Sequence, residues 1–197
     1  NPYNPTIEGD WMYGRGAADM KAGLAANIFA LDALRSIGYQ PAGKVFLQSV
    51  VEEECTGNGA LSCLVRGYRA DAAIIPEPED DKLIRANTGV LWFKVKVQGV
   101  PVHVREAASG LNAIEACFPI ISALRELEEK WNLEKKQHRY FEDLDHPINF
   151  NVGKIEGGDW ASSVPASCTF DCRMAIYPGW NPKEKALEIE ECIRGAS

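Results

Sequence analysis

The chain has 197 residues, 46% of them hydrophobic and 25% charged, with a formal net charge of -7. That is enough apolar material for one ordinary globular domain or two small ones. An acidic balance without clustered Lys and Arg excludes a nucleic-acid or membrane surface built on positive charge, and leaves small solutes as the expected partners.

In chain order, the first predicted element is a helix from Met20 to Ile37, where Ala22, Leu24, Ala25, Ile28, Leu31, Ala33 and Leu34 recur at helical spacing before the stop at Gly38. Lys44 to Val51 reads KVFLQSVV, which predicts a strand buried on both faces in a parallel sheet. A short helix from Gly59 to Arg66 and a second apolar run, Ala72 to Ile75, continue the alternation of an α/β sheet. After the polar stretch Glu79 to Asn87 the character changes, and a domain boundary is expected near Asn87, dividing the chain into 1–87 and 88–197. The second part reads strand (Leu91 to Val97), helix (Asn112 to Trp131), strand (Ile148 to Ile155), strand (Ser167 to Ile176) and helix (Pro182 to Arg194). That order is a βαββαβ layer without its last strand. Asn181 and Pro182 are the expected cap and first residue of the final helix, and the charged run Glu126 to Lys136 reads as a solvated helix end.

Working residues of an open parallel sheet gather beyond the carboxyl ends of its strands. Three acidic signals fall at such places or at a helix start: Asp19 in YGRGAADMK, the Glu53–Glu54 pair in VVEEECTGNG, and Glu77 between two prolines. Each has a plain structural reading beside the functional one. Asp19 suits a helix cap, the glutamates suit a solvated loop, and Pro-Glu-Pro suits a stiff turn. A phosphate loop is disfavoured, because no Gly-Lys-Ser/Thr follows the glycines.

Taken together, these segments resemble the zinc-dependent family of aminoacylases, acetylornithine deacetylases, succinyl-diaminopimelate desuccinylases and carboxypeptidases. GRGAADMKAG is similar to that family's bridging-aspartate motif, VEEECTGNGA to its paired-glutamate motif and IIPEP to its third acidic motif. QGVPVHVREAASGLNAIE and SSVPASCTFDCRMAIYPG resemble the histidine and arginine motifs of its lid. The resemblance implies part of an α/β zinc-hydrolase catalytic domain followed by a ferredoxin-like βαββαβ lid that pairs into a homodimer. It implies two Zn2+ ions per site, or Co2+ or Mn2+, with Asp19 bridging and with Glu54 and Glu77 each on one metal. Glu53 would be the general base and His103 the partner of the developing oxyanion. Arg173 would hold the substrate carboxylate, with an ion pair to Asp171 as the alternative reading. Ser162 stands where relatives place a substrate-binding asparagine. His138 and His146 read as surface or strand-entry residues. The implied substrates are N-acyl amino acids or small peptides, cleaved at the amide bond.

The family's His-x-Asp motif is absent, as is its later metal-binding histidine, and the chain opens on Asn1 without an initiator Met. These features predict a central fragment of a longer protein, inactive by itself. Six cysteines without CxxC spacing suit reduced thiols in the cytoplasm. The competing reading is a non-catalytic or degenerate homologue that serves as a dimerisation or binding module through exposed strand edges.

Overall fold

The computed structural model describes residues 1–79 and 82–197. It divides into two compact units, Asn1–Leu83 and Ile84–Ser197.

The first unit opens with a hairpin that the sequence reading did not anticipate. Strands β1 (Thr6–Glu8) and β2 (Trp11–Tyr13) pair antiparallel around a two-residue turn, where Gly9 adopts φ 62°. A wide helical turn at Ala17–Ala22 leads into helix α1 (Gly23–Ser36), and Gly38 at φ 79° follows its end. The helix was expected from Met20; it starts later because Asp19 and Met20 leave helical geometry. Helix α2 (Asn58–Val65) lies where a short helix was expected.

Two expectations for this unit do not hold. Among the described residues, neither Lys44–Val51 nor Ala72–Ile75 joins a sheet. Their side chains face water instead: Val51 is 73% exposed, Ile74 82% and Ile75 72%. A strand is held by hydrogen bonds to a neighbour, and an apolar run that lacks the neighbour does not make a ladder. No described residue of the unit is fully buried.

The second unit builds its own core. Strands β3 (Gly89–Gln98), β4 (Phe150–Gly157) and β5 (Ser167–Ile176) form an antiparallel sheet in the order β3-β5-β4, leaving β3 and β4 at the edges. Central β5 alternates faces along its length, burying Cys168, Phe170, Cys172 and Met174. Against that face packs helix α3 (Ala113–Asn132), whose Ala113, Cys117, Ile120, Leu124, Leu127 and Trp131 recur at helical spacing and are all buried. Helix α4 (Pro182–Ala196) packs beside α3 and adds Ile189. Both helices carry asparagine caps. The Asn112 carboxamide oxygen accepts from Ile114 N at 3.0 Å, and that of Asn181 accepts from Lys183 N at 3.0 Å.

The charged end of α3 departs from the expected solvated face. Glu128 is 4% exposed and Asn132 6%. The Glu128 carboxylate accepts from Phe150 N at 2.7 Å, Arg125 Nη1 at 3.1 Å and His146 Nε2 at 3.1 Å. Asn132 exchanges two hydrogen bonds with the backbone of Ile148. These buried polar groups fix the entry of β4 onto the helix, and each finds the partners that burial demands. His138 is likewise built into the structure, stacked on the Tyr177 ring at 3.9 Å. All six cysteines are free thiols. Burial pushes the Cys117 and Cys172 thiols up to about 12, with Cys168 reinforcing the first and Asp171 the second, so both stay protonated near neutrality.

Candidate active site

Carboxylates from three separated segments of the first unit lie within electrostatic reach of Glu77. Glu77 is held above the ordinary carboxylate range, first by partial desolvation and then by the negative charges of Glu53, Asp19, Glu54 and Glu79. Two close approaches at glycine help to assemble the group. At Gly23 there is no room for a Cβ against the Pro76 carbonyl, so the start of α1 lies directly on the Pro-Glu-Pro segment. At Gly59 the same holds against the Val51 carbonyl, which sets α2 on the backbone just before the glutamates.

The three consecutive glutamates are not equivalent. Glu52 sits at φ 59°, its carbonyl accepts from Thr56 N and Gly57 N, and its carboxylate accepts from Thr56 Oγ1 at 2.7 Å. Its side chain is therefore engaged locally, whereas Glu53 and Glu54 both add to the negative charge that acts on Glu77. Oxygen donors of this kind suit a hard or borderline divalent cation. Among the described residues, however, no three His, Cys, Asp or Glu side chains close to metal-binding geometry, so Asp19, Glu54 and Glu77 form an acidic cluster rather than a complete metal site. A cavity of about 780 Å3 elsewhere in the unit, lined by Lys44, Phe46, Arg66, Tyr68 and Arg69 among others, contains none of these carboxylates.

The second unit separates the remaining candidates into two places. His103 and Ser162 come together: His103 bridges to Ser163, and Val104 N donates to Ser162 O at 3.0 Å. Arg105 N donates to His103 Nδ1 at 3.1 Å, which puts the ring proton of the neutral histidine on Nε2 and leaves that N–H exposed. Arg173 lies near the other end of the sheet. The pairing of Gln98 with Ser167 marks the end of the ladder nearest His103, and the step of six positions from Ser167 to Arg173 spans roughly 20 Å of strand. Asp171 does not pair with Arg173. Its carboxylate meets Lys94 Nζ at 3.3 Å, and among the described residues Arg173 has no ion pair.

Sequence reasoning passed over Glu128 and Asn132, whose signal was only a charged run, and over Trp92, which pairs directly with Arg173 across the strands. No helix among the described residues is long and apolar enough to cross a membrane.

The M20_dimer family, described as a peptidase dimerisation domain, matches residues 85–196. An N-formyl-4-amino-5-aminomethyl-2-methylpyrimidine deformylase of Bacillus subtilis (strain 168) is 32% identical, aligned to 100% of this chain and 48% of its own length. A succinyl-diaminopimelate desuccinylase of Polynucleobacter necessarius subsp. necessarius (strain STIR1) is 28% identical over 100% of this chain and 52% of its own. The chain thus spans about half the length of the curated relatives it matches. Among solved structures, a tripeptidase from Staphylococcus aureus superposes with a TM-score of 0.59 at 20% identity, covering 97% of this chain and 48% of the other, a likeness of fold alone. Since the dimerisation-domain match takes in more than half of its residues, the chain belongs to the M20 peptidase family.

Proposed function

We propose that the protein hydrolyses an amide bond that joins an acyl group to a small amine or amino acid, and that the converging carboxylates of the first unit are its reaction centre. The observation that supports this reading is that Asp19, Glu53 and Glu54, from two other segments of the first unit, all bring negative charge to bear on Glu77. Like charges gather at a cost unless a cation or a proton is to be held there. The names of the relatives point the same way, because a deformylase and a desuccinylase both release an acyl group.

In this reading Asp19, Glu54 and Glu77 would donate oxygens to a divalent metal centre, zinc or alternatively cobalt or manganese, which would be completed by donors beyond these residues. When bound, the metals would supply Lewis acidity and lower the pKa of water. Glu53 takes the proton from the attacking water and returns it to the leaving nitrogen. The exposed Nε2–H of His103 donates to the oxyanion of the tetrahedral intermediate, beside Ser162. Arg173 binds a substrate carboxylate in a two-point fork. One small substrate does not reach both His103 and Arg173 of a single chain. The two residues fit one reaction when the dimerisation domain pairs into a homodimer and each copy contributes one of them. The substrates are N-acyl amino acids, small peptides or related amides, met in the cytoplasm.

The test is hydrolysis of an N-acyl amino acid panel by the full-length protein, with metal content measured in parallel. Chelator-sensitive turnover that falls at least 100-fold in Glu53→Ala, with metal lost in Asp19→Ala, is the expected result. A full-length protein with neither metal nor turnover would overturn the reading and leave the dimerisation module standing.

A further inference from the structure

The face of the second unit's sheet that is turned away from its helices carries an ordered set of side chains. Strand register places Trp92, Arg173 and Asn151 in a single row, since Trp92 pairs with Arg173 on one side and Asn151 pairs with it on the other. Directly paired residues project to the same face, with Cβ atoms about 5 Å apart. The next row is Lys94, Asp171 and Lys154, and there the one carboxylate is already held by Lys94 at 3.3 Å. Arg173 therefore has no anion to face among the described residues, although it is half-buried. A guanidinium in that position is strongly attracted to a carboxylate.

Trp92 makes the row specific. Its indole is 61% exposed, and it is in no ring contact or cation–π contact with a described neighbour. Trp131 and Trp180, by contrast, pack edge to face at 5.2 Å and carry Lys185 over their rings. An uncommitted indole next to an uncommitted guanidinium offers a flat apolar face beside a two-point anion donor. Asn151, exposed on the far side, brings a carboxamide that both donates and accepts.

We infer that Trp92 and Asn151 flank Arg173 as a specificity subsite for organic acids that carry an aromatic or heteroaromatic ring within a few bonds of the carboxylate. The carboxylate lies on Arg173, the ring stacks on the Trp92 indole, and Asn151 hydrogen-bonds the polar atoms at the ligand's other edge. This rests on the amide-hydrolase reading only in naming those acids as substrates; the subsite itself is a binding claim.

The experiment uses the full-length protein with two readouts. The first is kcat and KM for N-acetylphenylalanine against N-acetylleucine, in wild type, Trp92→Leu, Trp92→Phe and Asn151→Ala. Trp92→Leu is expected to raise KM for the aromatic substrate about tenfold while leaving kcat, and both constants for the leucine substrate, within about twofold. Trp92→Phe keeps most of the aromatic preference, and Asn151→Ala weakens both substrates. The second readout is binding of benzoate by calorimetry, which needs no turnover, with tryptophan fluorescence quenching followed alongside. Benzoate binds the wild type, loses affinity about tenfold in Trp92→Leu, and does not bind Arg173→Ala. An unchanged melting temperature confirms that the exposed Trp92 is not a folding residue. If Trp92→Leu alters neither the aromatic preference nor benzoate affinity while hydrolysis continues, the subsite is wrong and the hydrolase reading survives. If benzoate binds as stated but no amide is cleaved, the subsite stands and the hydrolase reading fails.

Discussion

The two units of this chain solve the problem of apolar surface in opposite ways. Ile84–Ser197 closes on itself, with β3, β5 and β4 paired antiparallel and α3 and α4 over one face. Asn1–Leu83 contains equally apolar runs, yet Lys44–Val51 and Ala72–Ile75 stand unpaired and their side chains remain exposed. Antiparallel neighbours can be supplied by nearby sequence, whereas a parallel strand needs partners brought in over long crossovers. The stable layer and the acidic cluster are accordingly carried by different parts: the self-sufficient unit holds the dimerisation domain, and the open unit holds the carboxylates around Glu77.

Substitutions can break this contrast. Phe170→Ala removes a ring with no exposure from the core of the second unit and is expected to cost about 3–5 kcal/mol in urea unfolding. Ile74→Ala in the first unit removes an exposed side chain and should change stability by less than about 0.5 kcal/mol. Similar losses at the two positions would contradict the division. Glu128→Ala leaves Phe150 N and Arg125 short of an acceptor and should cost about 1–3 kcal/mol, read from the same unfolding curves. Asn181→Ala uncaps α4 at about 1 kcal/mol, seen as a lowered melting temperature.

The smallest effect is one of pH. Burial alone would raise the Glu188 carboxyl, but hydrogen bonds from Lys185 and from Trp131 Nε1, with the charges of Lys185 and Lys130, outweigh it and hold Glu188 below its ordinary value. A carboxyl depressed in the folded state adds stability that is complete above its unfolded value and is lost as pH falls through the folded one. Glu188→Gln should therefore flatten the acid limb of the stability profile, measured by denaturation between pH 6 and about 2. An unchanged acid limb would show that the ring-and-lysine cluster on α4 does not couple to folding.

What could be read from the sequence follows the same line. The second unit's elements were legible because each carries its own signal: alternation in LWFKVKV, helical spacing from Ala113 to Trp131, and Asn181-Pro182 at a helix start. In the first unit the runs KVFLQSVV and AAII carry a strand signal that states a preference for burial, and that preference is not met by these residues. Buried charge was illegible for a different reason. Glu128 looks like any glutamate of a surface helix until Phe150 N and His146 are brought to it by the turn into β4. That Asp19, Glu53 and Glu54 would act on Glu77 was accessible only as a set of motifs in order. The distance between His103 and Arg173 depends on strand register, which residue spacing does not express.

Deuterium uptake by the full-length protein, followed with and without added zinc, tests most directly whether the open unit holds the reaction centre. Uptake should fall on metal addition in the peptides containing Asp19, Glu53–Glu54 and Glu77, stay unchanged across β3, β4 and β5, and lose its metal response in Glu77→Gln. Protection that is absent from those three segments, or that survives Glu77→Gln undiminished, would contradict the assignment of a metal centre to these carboxylates.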